Sequence, residues 1–114
     1  MSSKADKSGP LYFWLERLSA AVLVPLSIWF VVVVLRHVGA DYQSAHAFLA
    51  VPVNAALMGL FILIGVQHMV LGVRMILEDY IHGAGSFAVL MLLNRLFGLA
   101  VAAASIYAIV KIAL

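Results

Sequence analysis

Three long runs of this chain carry almost no charge, and they decide what it can fold into. Leu18–Leu35 is eighteen residues without an ionisable side chain. Ala47–Val73 is twenty-seven residues, interrupted only by Asn54, Gln67 and His68. Gly83–Val110 holds a single charge, Arg95. A helix needs about 20 residues to cross the hydrocarbon of a bilayer, so each run is long enough to cross once. Strands that leave an open edge are excluded there, because lipid offers no partner for free backbone N–H and C=O groups. The reading is an all-α integral membrane protein with three transmembrane helices, near 14–37, 50–78 and 86–112. A polar segment, 1–13, precedes them, and the whole chain is one membrane-anchor domain.

Composition agrees. Of 114 residues, 66% are hydrophobic and 11% charged, against about 45–50% and about 25% in soluble domains. With no cysteine, there is neither a disulfide framework nor a thiolate metal site. A formal charge of +2, spread along the chain, gives no basis for nucleic-acid binding. The opening MSSKADKSGP has neither a signal-peptide pattern nor the Arg-rich pattern of a transit peptide. The expectation is therefore a bacterial inner-membrane protein, with the mitochondrial inner membrane as the location of a processed organellar chain.

The connections are expected to be short. Gly39–His46 reads as a polar linker, and Ile81–Gly85 carries the glycines of a helix end and turn. Three spans put the termini on opposite sides. One side receives Lys4, Lys7, Arg17, Arg74 and Arg95, the other Arg36 and Lys111. The excess of basic residues predicts that the N-terminus and the second connection face the cytoplasm. Pro25 deprives the first helix of one backbone hydrogen bond and reads first as a tolerated membrane proline. Gly98 and Ala102, four apart, read as a helix-packing face.

Polar groups inside a span are the functional candidates. His68 lies nine residues before Leu77, about 14 Å along a helix, which places it near the bilayer midplane. It is open to two readings, a metal ligand or proton carrier, and a structural hydrogen bond. Gly72, Met75 and Asp79 fall within about 40° of it on the helix, so a glycine one turn away leaves a hollow beside the imidazole. Gly72 has a bland reading too, as a helix-packing site. His37, His46 and His82 fall at span ends or in connections. If His68 binds a six-coordinate haem, the second axial ligand has to come from another chain.

Asp79 and Tyr80 close the second helix, Tyr80 about 18 Å beyond His68. Tyrosine favours the membrane interface in any case. An acid at a helix C-terminus opposes the macrodipole, and Glu78 adds to that cost. The pair therefore suggests a use, such as orienting a hydrogen-bond donor toward a quinone carbonyl. Arg17 opens the first helix beside Glu16, either as a snorkelling anchor or as an anion clamp. Arg95 has to snorkel, meet an acid such as Glu78 or Asp79, or lie before a third helix that starts later than residue 86. The acids Glu16, Glu78 and Asp79 are all expected at span ends, which weighs against a small proton-coupled transporter. A haem-free scaffold protein would leave Asp79 and Tyr80 without a role.

The pattern His68–x3–Gly72–x4–Leu77–x–Asp79–Tyr80, continued as E-D-Y-I-H to His82 and preceded by W-L-E-R-L-S-A from Trp14 to Ala20, resembles the D-type hydrophobic membrane anchor of succinate dehydrogenase, respiratory complex II, in its alphaproteobacterial form. The resemblance implies the following. The chain anchors a flavoprotein subunit together with an iron–sulfur subunit, and it packs with a second, homologous C-type anchor. Haem b lies between the two anchors, with His68 as the axial ligand of the iron from this chain. Tyr80 hydrogen-bonds ubiquinone, with Asp79 in support, and Arg17 lies at the haem propionates. The complex then passes electrons from succinate to ubiquinone in the tricarboxylic acid cycle and aerobic electron transport. A fumarate reductase anchor is the near alternative. Met69 and Val70 depart from some relatives, which have Ala and Trp there.

Overall fold

The computed structural model describes the backbone of residues 3–114 and the side chains from Gly9 onward, so Lys4 and Lys7 lie outside the described side chains. Four helices follow one another: α1 Ser3–Arg36, α2 Tyr42–Ala50, α3 Pro52–Tyr80 and α4 Ala84–Ala113. Three of them are long and apolar enough to cross a membrane, over Gly9–Arg36, Pro52–Tyr80 and Ala84–Ala113. The all-α, three-span expectation holds.

The boundaries differ from the sequence reading in ways that chemistry explains. α1 begins well before residue 14 and runs through both Pro10 and Pro25. α3 and α4 extend two residues beyond their expected ends at the Tyr80 connection, so Asp79 and Tyr80 lie in the last turn of α3. The expected linker Gly39–His46 is mostly helix. Asp41 sits extended at the N-cap of α2, and its carboxylate accepts from the Ser44 N–H at 3.0 Å and from the Ser44 hydroxyl at 2.9 Å. That cap meets one of the free N–H groups of the first turn. It also holds the Asp41 carboxyl below its ordinary range, chiefly through the Ser44 backbone N–H and then its hydroxyl.

The breaks between helices are equally local. Gly39 takes the left-handed conformation, φ +78°, that lets the chain turn off the end of α1 at no steric cost. Pro52 occupies the first turn of α3, where its missing N–H costs nothing. The glycines after α3 do not serve as its left-handed cap. Ile81 ends α3 in an extended conformation, donating to Leu77 O at 2.9 Å, and Gly83 caps the start of α4.

α3 is the central helix, with α1 on one side and α4 on the other, and α2 folds across the far ends of α3 and α4. The body measures 56 × 26 × 21 Å. α3 and α4 approach closely where Gly98 faces Val70 and Val66. A β-carbon at Gly98 would lie 2.6 Å from Val70 Cγ2. Beside it the buried Asn94 donates to Val70 O at 3.0 Å. Phe30 of α1 stacks on Phe61 of α3 with centroids 4.6 Å apart. α2 is tied down by His46, whose Nδ1 donates to Ile112 O, and by Asn54, which donates to Phe48 O at 3.0 Å.

The interior is small. Among the described residues, the buried apolar side chains are Leu26, Leu49, Leu71 and Met91. The chain exposes 7832 Å², whereas a compact soluble monomer of its mass exposes about 6,100 Å². That excess is apolar and runs the length of all three spans, as lipid-facing and partner-facing surfaces require.

Candidate functional site: the His68 crossing

His68 stands two residues from the midpoint of α3, whose ends are Pro52 and Tyr80. It faces α1, and two α1 residues meet its ring. Ser19 Oγ lies 2.8 Å from His68 Nδ1. Glu16 Oε1 lies 3.4 Å from the same nitrogen. Glu16 and Ser19 are three apart, so they share one face of α1.

The hydrogen-bond network favours one tautomer of the ring. A serine hydroxyl has one proton to give, and Ser19 gives it to Glu16 O at 3.0 Å. With that bond made, it accepts from His68 Nδ1 at 2.8 Å. Glu16 Oε1, a carboxylate oxygen, is an acceptor too. Both neighbours require a proton on Nδ1. The neutral ring then carries a bare lone pair on Nε2, and among the described residues no hydrogen bond engages Nε2. In that tautomer Nδ1 is held by neighbouring groups, and Nε2 has no hydrogen-bond partner among the described residues.

The other histidines lack these side-chain partners. His37 donates from Nδ1 to Val33 O, one turn back on its own helix, at 2.8 Å. His46 is bound to a carbonyl of α4. His82 is exposed in the α3–α4 connection. No group of three or more His, Asp or Glu side chains among the described residues could enclose a metal ion.

Three expectations about this region change. Gly72 does border the imidazole, but the hollow there is partly taken by Glu16, whose Oε2 would lie 3.5 Å from a β-carbon at Gly72. That is ordinary contact, so the position has room for Glu16 and a methyl together. Glu16 is not at a span end, because its carboxylate lies 3.4 Å from His68, two residues from the midpoint of α3. Its carboxylate lies deep in the helix layer, opposite Gly72 and His68. The placement of all three acids at span ends, which weighed against transport, therefore fails for Glu16. Arg95 meets neither Glu78 nor Asp79. It is exposed and borders a groove between α3 and α4 with Gln67, Val70 and Gly98.

Glu78 is instead engaged by Arg74, whose Nε donates to Oε2 at 3.2 Å. Arg74 also covers the Tyr12 ring at 4.4 Å, so a local cation offsets part of the charge at the end of α3. Asp79 and Tyr80 are exposed in that last turn, Tyr80 at 75%. Arg17 is exposed near the level of Ser19, with its guanidinium 4.9 Å from the Phe13 ring centre. The structure does not bring Arg17, Asp79 or Tyr80 against His68. It brings Ser19 and Glu16, which have no part in the sequence reading of the site. Their spacing is visible on one helix, but the crossing of α1 and α3 that makes them neighbours of His68 is not.

The family described as succinate dehydrogenase/fumarate reductase transmembrane subunit matches residues 4–112. The chain belongs to that family. It is 31% identical, over 93% of its own length and 81% of the relative's, to the succinate dehydrogenase hydrophobic membrane anchor subunit of Paracoccus denitrificans. It is 29% identical to the protein of the same description from Rickettsia typhi, over 95% of this chain and 86% of that one. The counterpart from Rickettsia prowazekii is 26% identical over 84% of the chain and 77% of the relative. No solved structure matches. Within the succinate dehydrogenase/fumarate reductase family, the resemblance read from the His68–Tyr80 stretch holds, including its alphaproteobacterial character.

Proposed function

We propose that this membrane anchor of succinate dehydrogenase supplies one axial ligand of a haem b, through Nε2 of His68, and part of a ubiquinone-reducing site, through Tyr80 and Asp79. The observation that carries the ligand role is the contact of His68 Nδ1 with Ser19 and Glu16, near the midpoint of α3, with no hydrogen bond to Nε2 among the described residues. Imidazole is the common axial ligand of haem iron. One histidine at this depth leaves the second ligand to the homologous C-type anchor, packed on the face that carries His68. Haem bound there would hold one electron at a time.

The rest of the reading follows the chain's own groups. Tyr80 and Asp79 stand free at the end of α3, a phenol to hydrogen-bond a quinone carbonyl and a carboxylate to orient it or relay its proton. Arg17, exposed near the level of His68, offers its guanidinium to a haem propionate. The N-terminus and the Tyr80 connection face the cytoplasm of a bacterial inner membrane, where the flavoprotein and iron–sulfur subunits dock. The complex oxidises succinate and reduces ubiquinone in the tricarboxylic acid cycle and aerobic electron transport. The relatives named above, all described as succinate dehydrogenase subunits, favour that direction over fumarate reduction.

A reduced-minus-oxidised absorption spectrum of the co-purified complex, with its subunits resolved on a gel, tests the reading. A b-type haem band and a soluble flavoprotein partner are expected. A complex with no flavoprotein would contradict it.

A further inference from the structure

Glu16 presents an unusual cost. Its Oε1 is shut off from solvent and has no hydrogen-bond partner among the described residues, in a helix layer read as spanning lipid. A carboxylate oxygen left so in a medium of low polarity is expensive unless positive charge lies beside it. His68 Nδ1 lies 3.4 Å from Oε1. Ser19 Oγ lies closer to the same nitrogen, at 2.8 Å. Two acceptors thus compete for one donor. The competition is decided by how strongly the ring is polarised, and that depends on what Nε2 binds.

We infer that Glu16 is a positioning residue for the His68 ligand, sharing the Nδ1–H with Ser19 so that His68 becomes a stronger electron donor at Nε2 and the bound haem favours its oxidised state. The inference rests on the haem-ligand reading of His68. The physics is direct. With Nε2 committed to iron, the ring gains positive character and its Nδ1–H becomes a better donor, which supplies the partner that Oε1 lacks. A carboxylate accepting that proton raises the basicity of the ligand, and hydrogen bonding to an axial ligand is a lever on haem potential. Ser19 tempers the effect, because a hydroxyl is a weaker acceptor than a carboxylate and holds part of the donor's capacity. Glu16 Oε2 rests against Gly72, where a β-carbon would be in ordinary contact at 3.5 Å.

The test uses the assembled, haem-loaded complex with Glu16→Gln and, separately, Ser19→Ala, and reads haem content and midpoint potential by redox titration. Glu16→Gln keeps the haem and raises the potential, by an amount on the order of a tenfold change between oxidation states, about 59 mV for one electron. Ser19→Ala releases the Nδ1–H wholly to Glu16 and lowers the potential by less. Opposite signs are what a merely structural role for the two residues would not produce. An unchanged potential in haem-loaded Glu16→Gln, a shift of both variants in one direction, or loss of haem from both overturns the inference. If Glu16→Gln alone comes out without haem, Ser19→Ala decides: a lowered potential supports the inference, and an unchanged or raised one overturns it. A His68→Ala complex with an unaltered haem spectrum defeats the ligand reading itself, a result separate from either shift.

Discussion

At the scale of single residues, the decisive fact is which atoms of His68 are occupied. A histidine can simply donate to a backbone carbonyl, as His37 and His46 do outside the spans. His68 instead points Nδ1 at a serine hydroxyl and at a carboxylate, and among the described residues no hydrogen bond engages Nε2. That distinction is not legible in the sequence, where a ligand and a structural histidine look alike at this depth. Tyr80 is the second residue whose role is open to a direct check. Its side chain is 75% exposed with no intramolecular partner among the described residues, so its removal costs the fold nothing. Tyr80→Phe should leave assembly and haem content intact and raise the KM for ubiquinone about tenfold, the loss of one hydrogen bond of about 1 kcal/mol or more. Steady-state quinone reduction by the purified complex measures it, and an unchanged KM and kcat would remove Tyr80 from the quinone site.

At the scale of helices, the spans are plain in the sequence and their ends are not. Charge-free runs mark the hydrocarbon, so three helices are legible. Their ends depend on caps and on chain outside the lipid, where apolar patterning is silent. Hence α1 reaches back to Ser3, and α2 replaces a supposed linker once Asp41 caps it. The cap makes a pH prediction. The Asp41 carboxyl is held below its ordinary range when folded, so its contribution to α2 is present above the unfolded value and is lost as pH falls through the folded one. Hydrogen exchange at the Ser44 and Ala45 amides should therefore quicken, relative to other α2 amides, in acid below the carboxylate range. Asp41→Ala should show the same loss of protection at neutral pH.

Gly98 is the other element-scale test. The small residues of α4 read as a packing face, and the 2.6 Å approach to Val70 makes that reading specific. A β-branched valine has little χ1 freedom with which to retreat, so Gly98→Ala should separate α3 from α4 and destabilise the chain by about 1–3 kcal/mol. Thermal unfolding of the purified complex would report it as a lowered midpoint. An unchanged midpoint would mean that the two helices can part without cost.

At the scale of the molecule, the chain is a layer of three long helices with almost no interior, and its chemistry lies on surfaces meant for others. Few side chains are buried and the apolar exterior is continuous, so partners and lipid complete what the fold leaves open. That incompleteness is visible in the sequence, in three long apolar runs with few polar residues between them. Arrangement across helices is not, because a single sequence carries no record of which faces meet. Orientation is open to a clean test because the chain has no cysteine. A single cysteine replacing His82 should react with a membrane-impermeant maleimide only from the cytoplasmic face, and one replacing Gln43 only from the opposite face. The reverse pattern would invert the docking side for the soluble subunits.

The central claim is that His68 holds haem iron. It is tested most directly by the reduced-minus-oxidised spectrum of the purified complex carrying His68→Ala. The account predicts that the b-type haem bands are lost or are displaced to those of a haem with altered axial ligation, while the subunits still co-purify. Haem bands of unchanged position and intensity would contradict it.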